Sequence, residues 1–360
     1  MGRIIENSVS LDGAEKIKRV TDVNEMMRTM PLSAKRRLAK QGEGEAQLML
    51  GVAYANGDSG VKQDFEQSFY WFRQAADNGV VEAQWQLGLS YLRGDGTKKD
   101  SVKGFSWIKK AAEGGQIEAQ NQVGVFYYLG MEGIEKNTAE AIKWYEKAAY
   151  KGFAAAQYNL GNIFAFCKDV EENMPLAVSW WSKSAEQGHQ DAQYNLGFYY
   201  NSLEEYDKSF PLFMKSAEQG NAEAQFMVAY AYEAGHGVLK SNSSSLLWAK
   251  KSAEGGSSCG QCMLGQKYFH TKEDFMEGIY WLLKSVEQDN EQAKKFLMEH
   301  REDIYSGGVR LEEEGERKAA ALCYNMAKDL GYVKPKDNGS LLLYAIVAIF
   351  IICVILKFVR

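Results

Sequence analysis

Histidine and cysteine are scarce in this chain, at four and five of 360 residues. A structural zinc site takes four such ligands. His270 is the only histidine near the pair Cys259-Gly-Gln-Cys262, so no full ligand set is in reach. The pair has the spacing of a redox dithiol at a helix N-terminus. It also fits two variable slots of a helix, because Cys262 stands where equivalent segments carry Trp85, Tyr158 and Phe226. No strand precedes it and no βαβ pattern occurs, which favours the second reading. His189, His236 and His300 have no serine, cysteine or carboxylate arrangement that suggests a triad. Gly94-Asp-Gly96 lacks the Lys-Ser/Thr and the strand that a phosphate loop needs. Excess positive charge is missing as well. Lys and Arg number 42 against 47 Asp and Glu, for a net charge of −5. No basic stripe runs along the chain, which argues against nucleic acid as a partner. Lys35-Arg36-Arg37 with Lys40 is the one basic patch. It reads as a solvated helix face, with anionic lipid as the alternative. Glu312-Glu313-Glu314 likewise reads as a solvated run. No catalytic residue, metal ligand, cofactor or small-molecule substrate is expected, and the chain does not read as an enzyme.

What the chain has is one phrase repeated. Ala-Gln-x-x-Leu-Gly-x-x-Tyr recurs with Ala at 46, 83, 119, 156, 192 and 224, and a degenerate copy has Gly260-Gln261. The steps are 36 or 37 residues, with one of 32. Such a period marks a stack of supersecondary units. In the first half of each unit, positions 0, 4, 5 and 8 from the alanine share one side of a helix. Leu50, Gly51 and Tyr54 illustrate it, as do Leu87, Gly88 and Tyr91, Leu160 and Gly161, and Leu196 and Gly197. A second helix follows. Trp71, Trp107, Trp144, Trp180, Trp248 and Trp281 each stand four residues before a small pair, and Leu212 takes that slot in the fifth unit. The tryptophans are expected to fill the space between repeats. Gly79, Gly115, Gly152, Gly188, Gly220 and Gly256 close units, where a left-handed residue ends a helix.

The string Ala156-Gln157-Tyr-Asn-Leu-Gly161, followed by Trp180-Trp-Ser-Lys-Ser-Ala-Glu-Gln-Gly188, resembles the Sel1-like repeat family, a relative of the tetratricopeptide repeats. The resemblance covers about residues 44–290. It implies an all-α fold: a right-handed α/α superhelical solenoid of about seven helix-turn-helix repeats, serving as a protein-interaction scaffold. Secreted members with paired cysteines in each repeat are not matched here. Repeats one to three carry glycine turns at Gly57–Gly60, Gly94–Gly96 and Gly130–Gly133, and repeat six at Gly235–Gly237. Repeat four replaces the turn with residues 167–175, and repeat five shortens it to Ser202–Tyr206, which predicts less regular curvature in the middle.

Flanking segments complete the organisation. Residues 1–41 read as an N-terminal helical extension or cap, 42–290 as the solenoid, and 291–333 as a divergent last repeat. Residues 334–340 read as a linker, and 341–359 as one C-terminal transmembrane helix. Leu341 to Leu356 has no charge, glycine or proline. Sixteen residues span about 24 Å as a helix, Phe358 and Val359 extend the run, and Lys357 can snorkel. A docked helix would need a polar face, and this run has none. Met1–Ser10 has no apolar core or cleavage site. The expected arrangement is a tail anchor with the repeats in the cytoplasm, at a bacterial inner membrane or a eukaryotic organelle outer membrane. Asn242-Ser-Ser244 and Asn338-Gly-Ser340 match the glycosylation sequon, which would matter only in a secretory lumen.

The candidate partner site lies on the first helices, opposite positions 0, 4, 5 and 8, which is the side of positions 3, 6 and 10. Position 3 is an amide in four successive repeats: Gln86, Gln122, Asn159 and Asn195. Position 7, read as a flank, gives Ser90, Phe126, Ile163 and Tyr199. Asn and Gln can donate to and accept from an extended peptide's amides. Two functions follow: a membrane-tethered adaptor that captures a protein or peptide, or an inhibitory, immunity-type binder that clamps one folded protein.

Overall fold

The computed structural model describes residues 30–333, apart from Ser59 and Glu132. Eighteen α-helices and no strand occur among the described residues, with one isolated bridge between Met131 and Ile134. The chain divides into two compact units between Ser184 and Ala185. The first holds α1 (Leu32–Lys40), α2 (Gly44–Asn56), α3 (Phe65–Asp77), α4 (Val81–Arg93), α5 (Ser101–Glu113), α6 (Ile117–Leu129), α7 (Thr138–Ala149) and α8 (Ala154–Phe166). Helix α9 (Met174–Glu186) runs across the boundary. The second holds α10 (Gln190–Ser202), α11 (Tyr206–Glu218), α12 (Ala222–Ala234), α13 (Asn242–Glu254), α14 (Ser258–Phe269), α15 (Phe275–Val286), α16 (Glu291–Glu299), α17 (Arg301–Glu313) and α18 (Arg317–Asp329). Each repeat supplies a helix pair, from α2/α3 to α14/α15. Among the described residues no helix is long and apolar enough to cross a membrane. The expected span 341–359, the linker 334–340 and residues 1–29 lie outside the described residues.

The repeated phrase has a mechanical meaning. Its alanines are fully buried at 46, 83, 119, 156, 192 and 224. Its glutamines are buried too, except the half-buried Gln84, and the buried ones anchor their repeats to the helix before. Gln47, Gln120, Gln157, Gln193 and Gln225 donate through Nε2 to the backbone oxygens of Ala39, Ala112, Ala149, Ala185 and Ala217, at 3.0 to 3.2 Å. Gln261 does the same to Ala253 at 3.4 Å. The last carbonyls of a helix lack intrahelical donors, and each glutamine supplies one. The other amide atom is used where the next turn provides a donor: Asn78, Gln219 and Gln288 donate to the Oε1 atoms of Gln47, Gln193 and Gln261.

The glycine of the phrase sets how close the two helices of a repeat approach. A Cβ added at Gly124 would stand 2.6 Å from the ring of Tyr145, and one at Gly265 would stand 2.7 Å from Leu282. Gly51, Gly88, Gly161 and Gly197 face Phe72, Ile108, Trp181 and Phe213 in the same way. The buried partner is thus the residue after the tryptophan slot. Repeat six has Ala229 instead of glycine, and the opposing position is then the small Ala249; both are fully buried. The slot tryptophans behave as expected. Trp144 and Trp180 are buried, and Trp71 and Trp107 pack against the cores of α1/α2 and α3/α4. Lysine ammonium groups cover Trp107, Trp144, Trp180 and Trp248 at 3.6 to 4.4 Å from the ring centre.

Turns are pinned from both sides. Asp64, Asp100, Asn137 and Ser241 cap the second helices, each accepting a backbone N–H three residues on. Their own N–H groups donate to the carbonyls of Tyr54, Tyr91, Tyr127 and Tyr232. Repeat four keeps this scheme without the glycine turn, since Asn173 caps α9 and donates to Phe164. Its substitute turn is keyed to repeat three: Lys136 Nζ lies 2.7 Å from Asp169 and Thr138 donates to the same carboxylate. The Lys136 ammonium, chiefly, holds the Asp169 carboxyl below its ordinary range. In repeat five Glu204 adopts a positive φ of 59° in the shortened turn.

Candidate functional site

The first helix of each repeat presents one stripe away from its core. A residue advances about 100° around a helix, so position 7 lies about 20° from position 0 and faces the core. The structure shows that result: Ser90, Phe126 and Ile163 are buried, and Ser90 donates to the Gln86 carbonyl. Ser90, Phe126 and Ile163 are therefore packing residues, which corrects their reading as a partner-facing flank. Tyr199 is half-buried. Position 6 lies on the opposite side, exposed at some repeats and half-buried at Leu89 and Val125, which lean on neighbouring cores. In the first unit it carries Val52, Leu89 and Val125, followed by Asn162; in the second it carries Phe198 and Tyr230. Val52, Phe198 and Tyr230 are 39%, 53% and 42% exposed. Sequence reasoning placed position 6 on this side but took its candidate residues from positions 3 and 7.

The amide row is half-buried and partly engaged with its surroundings. Gln86 donates to Glu82 at 2.8 Å, and Asn159 donates to Asn121 of the preceding repeat at 3.1 Å. Gln122 and Asn195 are half-buried. In the first unit, position 3 begins with Met49, next to an open groove of about 840 Å³. The groove floor is Leu48, Met49, Val52, Val80 and Val81, and its charged rim is Glu45, Asp58 and Glu82 with the buried Lys35.

One more row belongs to this stripe. The residue before the phrase alanine, about 20° from position 6, is Glu45, Glu82, Glu118 and then Ala155 in the first unit, and Asp191, Glu223 and then Cys259 in the second. Glu82, Glu118, Asp191 and Glu223 are exposed, and Glu45 is half-buried. No lysine or arginine occupies this row, position 3 or position 6 in any of the seven repeats.

The cysteines show no sign of redox chemistry. Cys259 and Cys262 are free thiols. Burial pushes the Cys262 thiol up to about 11 and raises that of Cys259, the reverse of an activated thiolate. Cys262 packs with Phe269, Leu282 and Leu297. Among the described residues no group of three or more His, Cys, Asp or Glu could hold a metal ion.

The Sel1 repeat model matches residues 44–80, 81–116, 117–153, 154–189, 190–221, 222–257 and 260–296. The chain belongs to the Sel1 repeat family. Among solved Sel1 neighbours, c5321, a protective antigen of uropathogenic Escherichia coli with an SLR fold, is 30% identical with a TM-score of 0.72, covering 84% of this chain and 65% of that one. A Sel1 repeat protein from Oxalobacter formigenes is 26% identical with a TM-score of 0.59, covering 66% of this chain and 96% of its own. An uncharacterized protein of Neisseria meningitidis serogroup B, NMB1327, is 46% identical over 44 residues, which is 12% of this chain and 9% of that protein. The chain therefore spans less than two thirds of the length of c5321 and a small part of NMB1327. Sel1 repeat proteins are generally protein-interaction scaffolds, and their solenoid is typically non-enzymatic.

Proposed function

We propose that this Sel1 repeat chain is a scaffold that takes a segment of a partner protein along the outward stripe of its first helices. The observation that carries it is the apolar row of exposed Val52 and half-buried Leu89 and Val125, which also lean on neighbouring cores, bordered by side-chain amides. Apolar side chains left on a surface in register mark an interaction site, and amides beside them can satisfy a bound backbone. We further propose that the uncharged run Leu341–Leu356 holds this scaffold at a membrane, with the repeats in the cytoplasm. Its support is the sequence itself: sixteen apolar residues flanked by charge. Tethering raises effective concentration, so individual contacts can be weak.

Photocrosslinking in cells tests the stripe. A benzophenone amino acid at position 52, 89 or 125 should yield one set of adducts. The same group at Lys143 or Glu146, on a second helix, should not. Equal crosslinking at both sets rejects the stripe. For the membrane, a chain stopped after Asn338 should move from the membrane fraction to the supernatant. Retention in the membrane fraction would remove Leu341–Leu356 as the anchor.

A further inference from the structure

The outward stripe is predominantly acidic over the first three repeats. Glu45, Glu82 and Glu118 stand one in each of the first three repeats, beside the row that begins at Val52, and Ala155 takes the place in the fourth. A carboxylate in the first turn of a helix also gains from the helix dipole. The dipole rewards a carboxylate at any first-turn position, yet these three share one angular position, and the one cation at positions 3, 6 or 10 beside them is Arg93, about three turns along its helix from Glu82. The 840 Å³ groove repeats the pattern locally: an apolar floor, three carboxylates on the rim, and one lysine that is only 6% exposed. A partner that lays acidic side chains here would meet like charge, whereas a cationic one would be steered in and paired.

We propose that the segment bound on the first unit is a polypeptide in which lysine or arginine accompanies apolar side chains: the apolar groups rest on the Val52 row and the cations meet Glu45, Glu82 and Glu118. This rests on the reading of the stripe as the interaction face. The proposal extends it by giving the chemistry of the occupant.

A random dodecapeptide display library, panned on the full chain in detergent, tests it. Selected peptides should be enriched in lysine or arginine alternating with apolar residues. Their affinity should fall about tenfold in the triple variant Glu45→Gln, Glu82→Gln, Glu118→Gln at low salt, since each rim pair contributes little. Raising salt from about 0.05 M to about 0.5 M should weaken the native chain and leave the triple variant nearly unchanged. Glu113→Gln, on a second helix, should change nothing. Helix content by circular dichroism confirms that the variants are folded. Selection of neutral or acidic peptides overturns the proposal, as does a triple variant that binds as well as the native chain. If such peptides are still lost in Val52→Ser, the stripe stands and only the charge assignment falls. If Val52→Ser is also without effect, or no peptide is selected, both fall.

Discussion

A missing Cβ at Gly161 lets the indole of Trp181 lie against the backbone of α8, and Nε1 of that indole donates to Asn162 at 3.0 Å. Gly161→Ala would force one of two rigid groups to move. Overpacking of this kind costs about 1–3 kcal/mol, so the urea midpoint should fall clearly. Adding Trp181→Leu should cost less in the Gly161→Ala background than in the native one; strict additivity would separate the two positions. The same logic explains why repeat six tolerates Ala229 against Ala249. Cys262 makes a different residue-scale statement. Its folded thiol is held at about 11, above the ordinary 9.0, because burial disfavours the thiolate. The unfolded chain ionises first as pH rises, so stability is level below about 9 and declines from there toward 11. Iodoacetamide at pH 8 should leave Cys262 unmodified until denaturant is added. Labelling of Cys262 at the rate of an exposed thiol would contradict its burial.

At the scale of the element, every first helix but α4 is hung on the helix before it by one buried glutamine. Gln157→Leu keeps the volume but removes one of two donors to the Ala149 carbonyl, which retains the N–H of Gly152. Loss of that one hydrogen bond should cost about 0.5–1.5 kcal/mol, read from the same urea transitions. A change below a few tenths would mean that water replaces the amide. This anchoring shows what was legible in the sequence. The recurrence of Gln47, Gln120 and Gln157 was visible at once; that their partners lie eight residues upstream was not, because a recurring letter does not reveal which way its side chain turns. The helix pairs and the closing glycines were readable because periodicity and positive φ are local. Gly79 and Gly220, for instance, do sit at φ 82° and 98°. The site was half readable. Gln86, Gln122 and Asn159 lie beside the stripe, but Phe126 and Ile163 belong to the core. The error was one of phase: seven residues nearly complete two turns. The residue after each tryptophan was missed altogether, since its identity varies from Phe72 to Trp181 while its role stays the same.

For the molecule as a whole, each core belongs to adjoining helices, so an array has ends that must be covered. In the second unit, Phe269, Phe275 and Leu282 are closed over by Leu297, Ile304, Cys323 and Ala327 from α16, α17 and α18. A chain stopped after Asn290 should expose that cluster, bind a hydrophobic dye and aggregate at concentrations where the chain through Val333 is monomeric. A monodisperse truncation would show that repeat seven needs no cover. Equivalent loss of α1, which covers Ala46 and Leu50 in the first unit, should expose a smaller surface and do less harm.

The pairing of a small residue on one helix with a bulky one on the next bears on how such an array can be lengthened. The first helix of repeat six, with Ala229, has no room for the indole that repeat four supplies; the second helix of repeat six, with Ala249, would leave the groove at Gly161 unfilled. Genetic exchange between the two halves of different repeats would thus produce either a clash or a void. Duplication or loss of a whole helix pair preserves every match. The heritable module is the pair, and its boundaries fall at the closing glycines, where a crossover would do the least damage.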